Sequence, residues 1–467
     1  MYIYKLQLMK NINVGVVGFT NNFKKFLTYL DDKNSIYNLK FLIKNDSKDV
    51  ERSLIKYCLN TKIKFLIICD DKFRDLVTKN IEFLIKRKII TVKAATNYEI
   101  ENHGFIIQKL FKDFSFEDIF LRKKLKINER KANLNFRNKK ILITGGGGSI
   151  GSNLIINLLK YKVKKIFVID NNEYALFKLL SSISKLLKKK IKVKIMGIEN
   201  KKMVDNFVNL SKPDIIFHTA ALKHVKYLEE NPVQGILTNI VGTKNIIEAS
   251  NKYNVKKFIH VSTDKAARPK NNLGITKKLS ENICFNFSKS KLRVGIVRFG
   301  NVFDSNGSVS EIFRKKILKQ QKISITNSKV KRFFMSNDEA SNLLLHVSNE
   351  LHVKNNSKKV RVFIYNMGEP IQILELAKKM AFLSGRPIAK FINKKYSGLN
   401  KVEKIVEQLM NKNEYIKNID QNNILEIAEN KTISKYLNFK KILKIINQDN
   451  DRTANKYLKK IAITFNK

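Results

Sequence analysis

From Asn13 onward the chain alternates short apolar runs with longer amphipathic stretches: NVGVVGF, a mixed stretch to Leu30, LKFLIK, KFLIICD and KIITVKA. Apolar runs this short suit strands buried on both faces, and the intervening stretches are long enough for crossover helices. The pattern predicts a Rossmann-like α/β domain over residues 1–95, then a connector over 96–138 with a helix in FEDIFLRKKL. A second series starts at Lys140, with ILITG, KIFVID, KVKIMG, DIIFHTA, KKFIHVST and RVGIVRFG as parallel strands. Six such runs separated by helical segments predict a doubly wound parallel sheet over 139–300, with its ligand crevice outside the carboxyl ends of the strands. Beyond Asn301 the alternation fails. KISIT, VRVFIYNMG and ILELAKKMAFLSG predict a smaller α+β substrate lobe over 301–410, and residues 411–467 read as lysine-rich helices. No repeat of solenoid period is present.

The glycines sharpen this picture. ILITGGGGSIG runs an apolar strand directly into Gly145, Gly148 and Gly151, with Ser149 and Ile150 opening an amphipathic helix. That spacing allows a tight turn, close approach of backbone N–H groups to a pyrophosphate, and a helix N-terminus facing it. Asp170 ends the next apolar run, where a carboxylate would accept hydrogen bonds from adenosine ribose hydroxyls. Asn171, Asn172 and Glu173 follow, with no cation to balance a 2′-phosphate, so NAD is favoured over NADP. The first unit offers only Gly15 and Gly18 before bulky Phe19, and reads as structural or regulatory.

Composition adds one question. Of 467 residues 43% are hydrophobic, which excludes global disorder, while 91 Lys+Arg against 40 Asp+Glu leave a net charge of +51. Such an excess points to a polyanion or an anionic membrane face, and leaves peripheral membrane contact open. Lysine nevertheless recurs in almost every block of ten beside abundant Asn, Ile and Phe, with no Trp, which reads as a global bias and not as a specific nucleic-acid site. Cys58, Cys69 and Cys284 have no metal-ligand spacing and cannot form a disulfide framework; they predict buried apolar positions in a reducing, cytoplasmic setting. The N-terminal MYIYKLQLMK lacks a signal-peptide pattern and no run of 18 apolar residues occurs, so neither secretion nor membrane spanning is expected.

KKFIHVSTDKAARPKNNLGITKK sets Ser262, Thr263, Asp264 and Lys265 at a strand end, with Lys277 twelve residues later at the start of a helix. Together with TGGGGSIG this resembles the extended short-chain dehydrogenase/reductase superfamily, in which a strand-end Ser/Thr precedes Tyr-x-x-x-Lys. Here Leu273 stands at the tyrosine position. That departure, with AALKHVKYLEENP, TNIVGT, RFGNVF, SNGSV, KRFFMSNDEA and YNMGEPIQILELAKKM in order, resembles the nucleoside-diphosphate-sugar 4,6-dehydratases of bacterial polysaccharide biosynthesis, capsular type.

The resemblance implies a fold and a chemistry. The fold is an NAD-binding Rossmann sheet with a substrate lobe, preceded by an additional Rossmann-like domain. The activity is NAD-dependent dehydration of a UDP-N-acetylhexosamine, with no metal, in a chain that associates with itself. By the same likeness Lys265 is the base at C5, Asp264 the acid for the leaving C6 hydroxyl, Thr263 holds the C4 oxygen and Lys277 the nicotinamide ribose. A base must be neutral, and the nicotinamide cation, Lys277 and burial all work against an ammonium at position 265. Ala220 would flank the cofactor; Lys223, His224, Asn301, Arg332 and Glu403 would meet the nucleotide sugar. His218 and His260, inside apolar strands, read as structural. Two positions depart from the family pattern: Asn400 replaces an arginine of the pocket-closing stretch, and Gly197-Ile198-Glu199 replaces Gly-Asp-Ile beside the adenine. The rival readings are a C4 epimerase on the same scaffold, a basic nucleic-acid-binding or scaffold protein, and a weakly active remnant.

Overall fold

The computed structural model describes residues 12–466 except 31–34, 36, 47–48, 71–72, 95–115, 121, 123–124, 352–359, 385–391, 394–396, 400–401 and 430–437. The chain forms two compact units. The first comprises residues 1–123, 312–328 and 372–398. Its sheet contains β1 (Ile12–Phe19), β2 (Tyr37–Lys44), β3 (Phe65–Ile68) and β4 (Ile90–Lys93), ordered β2-β1-β3-β4 with every pairing parallel. Val14, Val16, Leu66 and Ile67 are buried, as expected of strands covered on both faces. The rings of Phe41 and Phe73 fill the space against Gly15 and Gly18; a Cβ on Gly18 would stand 2.5 Å from Phe73 Cδ2.

The second unit, residues 124–311, 329–371 and 399–467, carries the larger sheet. The six expected strands are β5 (Lys140–Thr144), β6 (Lys165–Asp170), β7 (Ile191–Ile195), β8 (Ile215–His218), β9 (Lys257–Thr263) and β10 (Arg293–Phe299). Short strands β11 (Asn301–Val302), β12 (Lys331–Arg332) and β13 (Phe334–Met335) follow, then β14 (Val360–Tyr365), the two-residue β15 (Ile371–Gln372), β16 (Glu414–Ile419) and β17 (Ile424–Glu429). The nine-stranded order is β16-β17-β14-β10-β9-β8-β5-β6-β7. The direction of winding reverses between β5 and β8, so their carboxyl ends open a crevice at the switch point. Apolar layers cover both faces: Ile236, Ile240, Ile246 and Ile283 on one, Leu154, Leu158, Leu343 and Leu344 on the other.

Four expectations need correction. Residues 411–467 are not helical throughout, since β16 and β17 form an antiparallel hairpin. Its turn is an Asx turn: Asp420 Oδ1 accepts from the amides of Asn422 and Ile424 at 2.8 Å, and Asn423 is left-handed at φ 58°. The helices Phe439–Asn447 and Asp451–Asn466 come after it. VRVFIY belongs to the main sheet and not to a lobe, because β14 pairs in parallel with β10. The division into units places 312–328 and 372–398 with the N-terminal domain, so 301–410 is not one lobe. In FEDIFLRKKL the described residues make a turn, with Phe120 N bonded to Phe116 O and the two rings stacked at 4.4 Å; the connector's helix is Glu129–Phe136. Among the described residues no helix is long and apolar enough to cross a membrane. The three cysteines are buried, as their spacing suggested.

Candidate active site

The crevice begins at the glycine turn after β5. Gly145 sits at φ 68°, and a Cβ there would come within 2.7 Å of the Ala220 backbone, so only glycine fits between β5 and the end of β8. Gly151 lies so close to Gly145 and Gly146 that a Cβ would stand 2.7 Å from Gly146 Cα. The helix Ser149–Leu158 starts from Gly148 with no side-chain cap, which leaves its first amides directed at the crevice. Asp170, at the end of β6, accepts from Gly147 N at 2.9 Å through Oδ2 and from Asn172 N at 2.9 Å through Oδ1. Thr219 bonds the Thr144 carbonyl at 2.7 Å and holds Ala220 beside the turn. This cradle fits a dinucleotide: close backbone, an open helix N-terminus and a carboxylate one strand away. Ile198 goes to the core, 4% exposed, and so offers no polar contact there.

Across the crevice β9 ends at Thr263. Asp264 is fully buried; its Oδ1 accepts from Thr263 Oγ1 and from Lys265 Nζ, both at 2.9 Å. Its Oδ2 has no partner among the described residues. Lys265 also reaches Asn301 Oδ1 at 3.4 Å. The loop that follows Asn301 runs from this cluster to the glycine turn. Ser149 Oγ accepts from Asn306 N at 2.9 Å, Ser305 Oγ accepts from Lys223 Nζ at 3.3 Å, and Gly307 lies under the His224 ring. Arg332 follows on the same wall, where Asn301 N bonds Phe333 O at 2.8 Å. Its Nη1 donates to the carbonyls of Lys331 and Ile405 at 2.8 and 3.1 Å. Glu403 is half-buried, and its carbonyl accepts from Lys270 Nζ at 3.5 Å. Asn400 lies outside the described residues.

Lys277 is buried on the helix Asn272–Phe285, 3.4 Å from His260 Nε2. Burial pushes its amine down to about 8, against the opposing pull of Cys284 and Glu281. Leu273, one turn earlier, is 6% exposed. Behind Lys277 the rings of His218 and His260 stack at 5.3 Å. His218 is held between the hydroxyls of Thr144 and Thr243 at 2.7 and 2.9 Å. Burial, with the Lys277 charge second, lowers His218 to about 3, and His260 falls well below its ordinary value for the same reasons plus His218. Both are neutral packing groups, in line with the structural role expected of them.

The residues that sequence reasoning missed lie under the rim: Arg298, Glu281, Glu414 and Lys278, all at most 3% exposed in their side chains. Glu281 follows Lys277 by one helical turn, a spacing that could have marked it. Glu414 comes from a segment read as lysine-rich helix.

The switch-point crevice, glycine cradle and strand-end Thr-Asp-Lys cluster define a Rossmann-fold protein of the extended short-chain dehydrogenase/reductase class. Residues 141–429 match the family described as "Polysaccharide biosynthesis protein", and the chain belongs to that family. It is 30% identical to a probable polysaccharide biosynthesis protein EpsC of Bacillus subtilis over 78% of this chain and 60% of that protein. A Campylobacter jejuni UDP-N-acetylglucosamine 4,6-dehydratase (inverting) is 35% identical over 46% of the chain and 65% of the enzyme. A UDP-glucose 4-epimerase of Rickettsia canadensis is 32% identical over 45% of the chain. Among solved structures, Pen from Bacillus thuringiensis superposes with a TM-score of 0.53 at 33% identity, covering 59% of this chain and 82% of that one. The chain therefore spans about 60% of the length of the EpsC protein it matches.

Proposed function

We propose that the protein catalyses the NAD-dependent 4,6-dehydration of a UDP-N-acetylhexosamine, with UDP-N-acetylglucosamine as the favoured substrate, giving a 4-keto-6-deoxy sugar nucleotide for surface glycan synthesis. The observation that carries this reading is the 2.9 Å pair of Asp264 and Lys265, one carboxylate oxygen without a partner among the described residues, on the rim that also holds the dinucleotide cradle. NAD, when bound, supplies a reversible hydride acceptor for C4.

Gly145, Gly148, Ser149, Ile150 and Gly151 would hold its pyrophosphate, Asp170 its adenosine ribose, Ala220 its flank and Lys277 its second ribose. The remaining chemistry belongs to the chain. Thr263 Oγ1 orients the C4 oxygen. Once C4 is a ketone the C5 proton is acidic; Lys265 Nζ removes it while Asp264 protonates the departing C6 hydroxyl. The pair carries the right number of protons for this. A proton shift across 2.9 Å converts the ion pair into amine and carboxylic acid, and dehydration restores the ion pair. Lys265 then gives its proton to C5 as the hydride taken from C4 returns to C6, and the proton released by the C4 hydroxyl, passed through Thr263 Oγ1 and Asp264, replaces it. Lys223, His224, Asn301, Arg332 and Glu403 would line the nucleotide-sugar side.

A C4 epimerase is the rival, and the relative of that name supports keeping it in view. The Asp-Lys pair favours dehydration, because it supplies the acid and base that loss of water needs and epimerisation does not. Incubation with UDP-N-acetylglucosamine should give a product lighter by one water. Lys265→Ala should slow this by about 10²- to 10⁴-fold while nucleotide released on denaturation still shows NAD at wild-type occupancy. Intact substrate from the NAD-loaded wild type would end the proposal.

A further inference from the structure

Under the rim, Arg298 spends all five of its N–H donors. Nε and Nη2 reach the two oxygens of Glu281 at 2.8 Å, Nη2 and Nη1 reach those of Glu414 at 2.7 Å, and Nη1 also reaches Leu409 O at 3.3 Å. A planar fork filled on both edges pins three elements in one plane: β10, the helix Asn272–Phe285 and the start of the hairpin. Lys278 completes the charge balance, 3.7 Å from Glu281 and 3.6 Å from Glu414.

Two arms leave this network. Through the first, Glu281 Oε1 accepts from Ser262 Oγ at 2.6 Å, and Ser262 directly precedes Thr263, Asp264 and Lys265. Through the second, Glu414 Oε2 accepts from Asn411 N at 2.7 Å and closes a turn over Leu409–Glu414. The chain entering that turn is stitched to the loop after Lys265. Lys404 Nζ bonds Arg268 O, Arg268 bonds Gln408 Oε1 at 2.8 Å, and Arg332 and Lys331 bond Ile405 O.

We infer that the Arg298–Glu281–Glu414–Lys278 network is a positioning device with two outputs, fixing the Thr263–Lys265 strand end through Ser262 and clamping the segment 402–414 against the nucleotide-sugar side through Glu414. It rests on the functional reading above. A buried ionic network stabilises a fold little better than apolar residues of equal volume, and its geometric demands suit it to fixing register. Arg298, Glu414 and Ser262 are thus positioning residues, none touching substrate.

The two arms predict a split. In the full chain with NAD bound, Glu414→Gln should speed deuterium exchange of amides in 402–414 and weaken UDP binding by about tenfold or more, with a matching rise in KM and little change in kcat. Ser262→Ala keeps every charge; it should lower kcat by about tenfold or more with UDP affinity and exchange in 402–414 at wild-type values. Glu414→Asp should recover part of the loss. Unchanged exchange in 402–414 for Glu414→Gln, or wild-type kcat for Ser262→Ala, would overturn the inference; should Glu414→Gln fail to fold, Ser262→Ala decides alone. If the wild type binds no UDP the substrate reading falls, and the exchange measurement still tests the clamp.

Discussion

Lys277 has a measurable cost. Its amine titrates at about 8 in the fold against an ordinary 10.5. Below about pH 8 folded and unfolded chains both carry the proton, and the fold bears the whole penalty of burying it. Between about 8 and 10.5 only the folded chain releases it, so stability from this group rises with pH across that window. The penalty is on the order of 3 kcal/mol. Lys277→Met should therefore raise the melting temperature of the NAD-free protein at pH 7, lose that advantage near pH 10, and bind NAD poorly. A variant that melts lower at pH 7 would contradict this origin of the shift. The Asp264–Lys265 pair was readable at this scale because adjacent residues at a strand end share one rim. Arg298 and Glu281 were not, since their meeting depends on how a helix packs on a strand, and nothing in local spacing shows that Glu414 joins them.

At the scale of elements, periodicity served well wherever strands were buried on both faces: β5, β6, β8, β9 and β10 fall on mainly apolar runs, while the edge strand β7, IKVKI, alternates with lysine and has no buried residue. It failed at β16, where Tyr415, Ile416 and Ile419 are exposed and the lysine-rich context resembles a solvated helix. The Asp-Gln-Asn-Asn turn at 420–423 was the signal for a hairpin. The glycine turn gives the sharpest test of an element. Gly145→Ala forces a left-handed residue and a Cβ against the Ala220 backbone at 2.7 Å, with the strain worth about 1–3 kcal/mol. NAD should be lost and the melting temperature lowered together. Retention of NAD at wild-type occupancy would mean that the turn does not hold the pyrophosphate.

For the whole molecule the net charge of +51 is spread along the chain, and the sheets form regardless, because among the described residues the lysines are exposed or half-buried apart from Lys257, Lys277 and Lys278. Self-repulsion of that size opposes compaction. Raising ionic strength until the screening length falls from about 10 Å to about 3 Å should increase the melting temperature; a flat or falling curve would show that local ion pairs already offset it. The order of units also limits what sequence could reveal. Segments 312–328 and 372–398 return to the first unit, a long-range choice that no local pattern records.

Dehydration and epimerisation on this scaffold part at one atom, the destination of the hydrogen that leaves C4. UDP-N-acetylglucosamine carrying deuterium at C4 should give a 4-keto product with the label in the C6 methyl group. Label remaining at C4, in a sugar that keeps its C6 oxygen, would contradict the assignment of Asp264 and Lys265 as the acid and base of water loss.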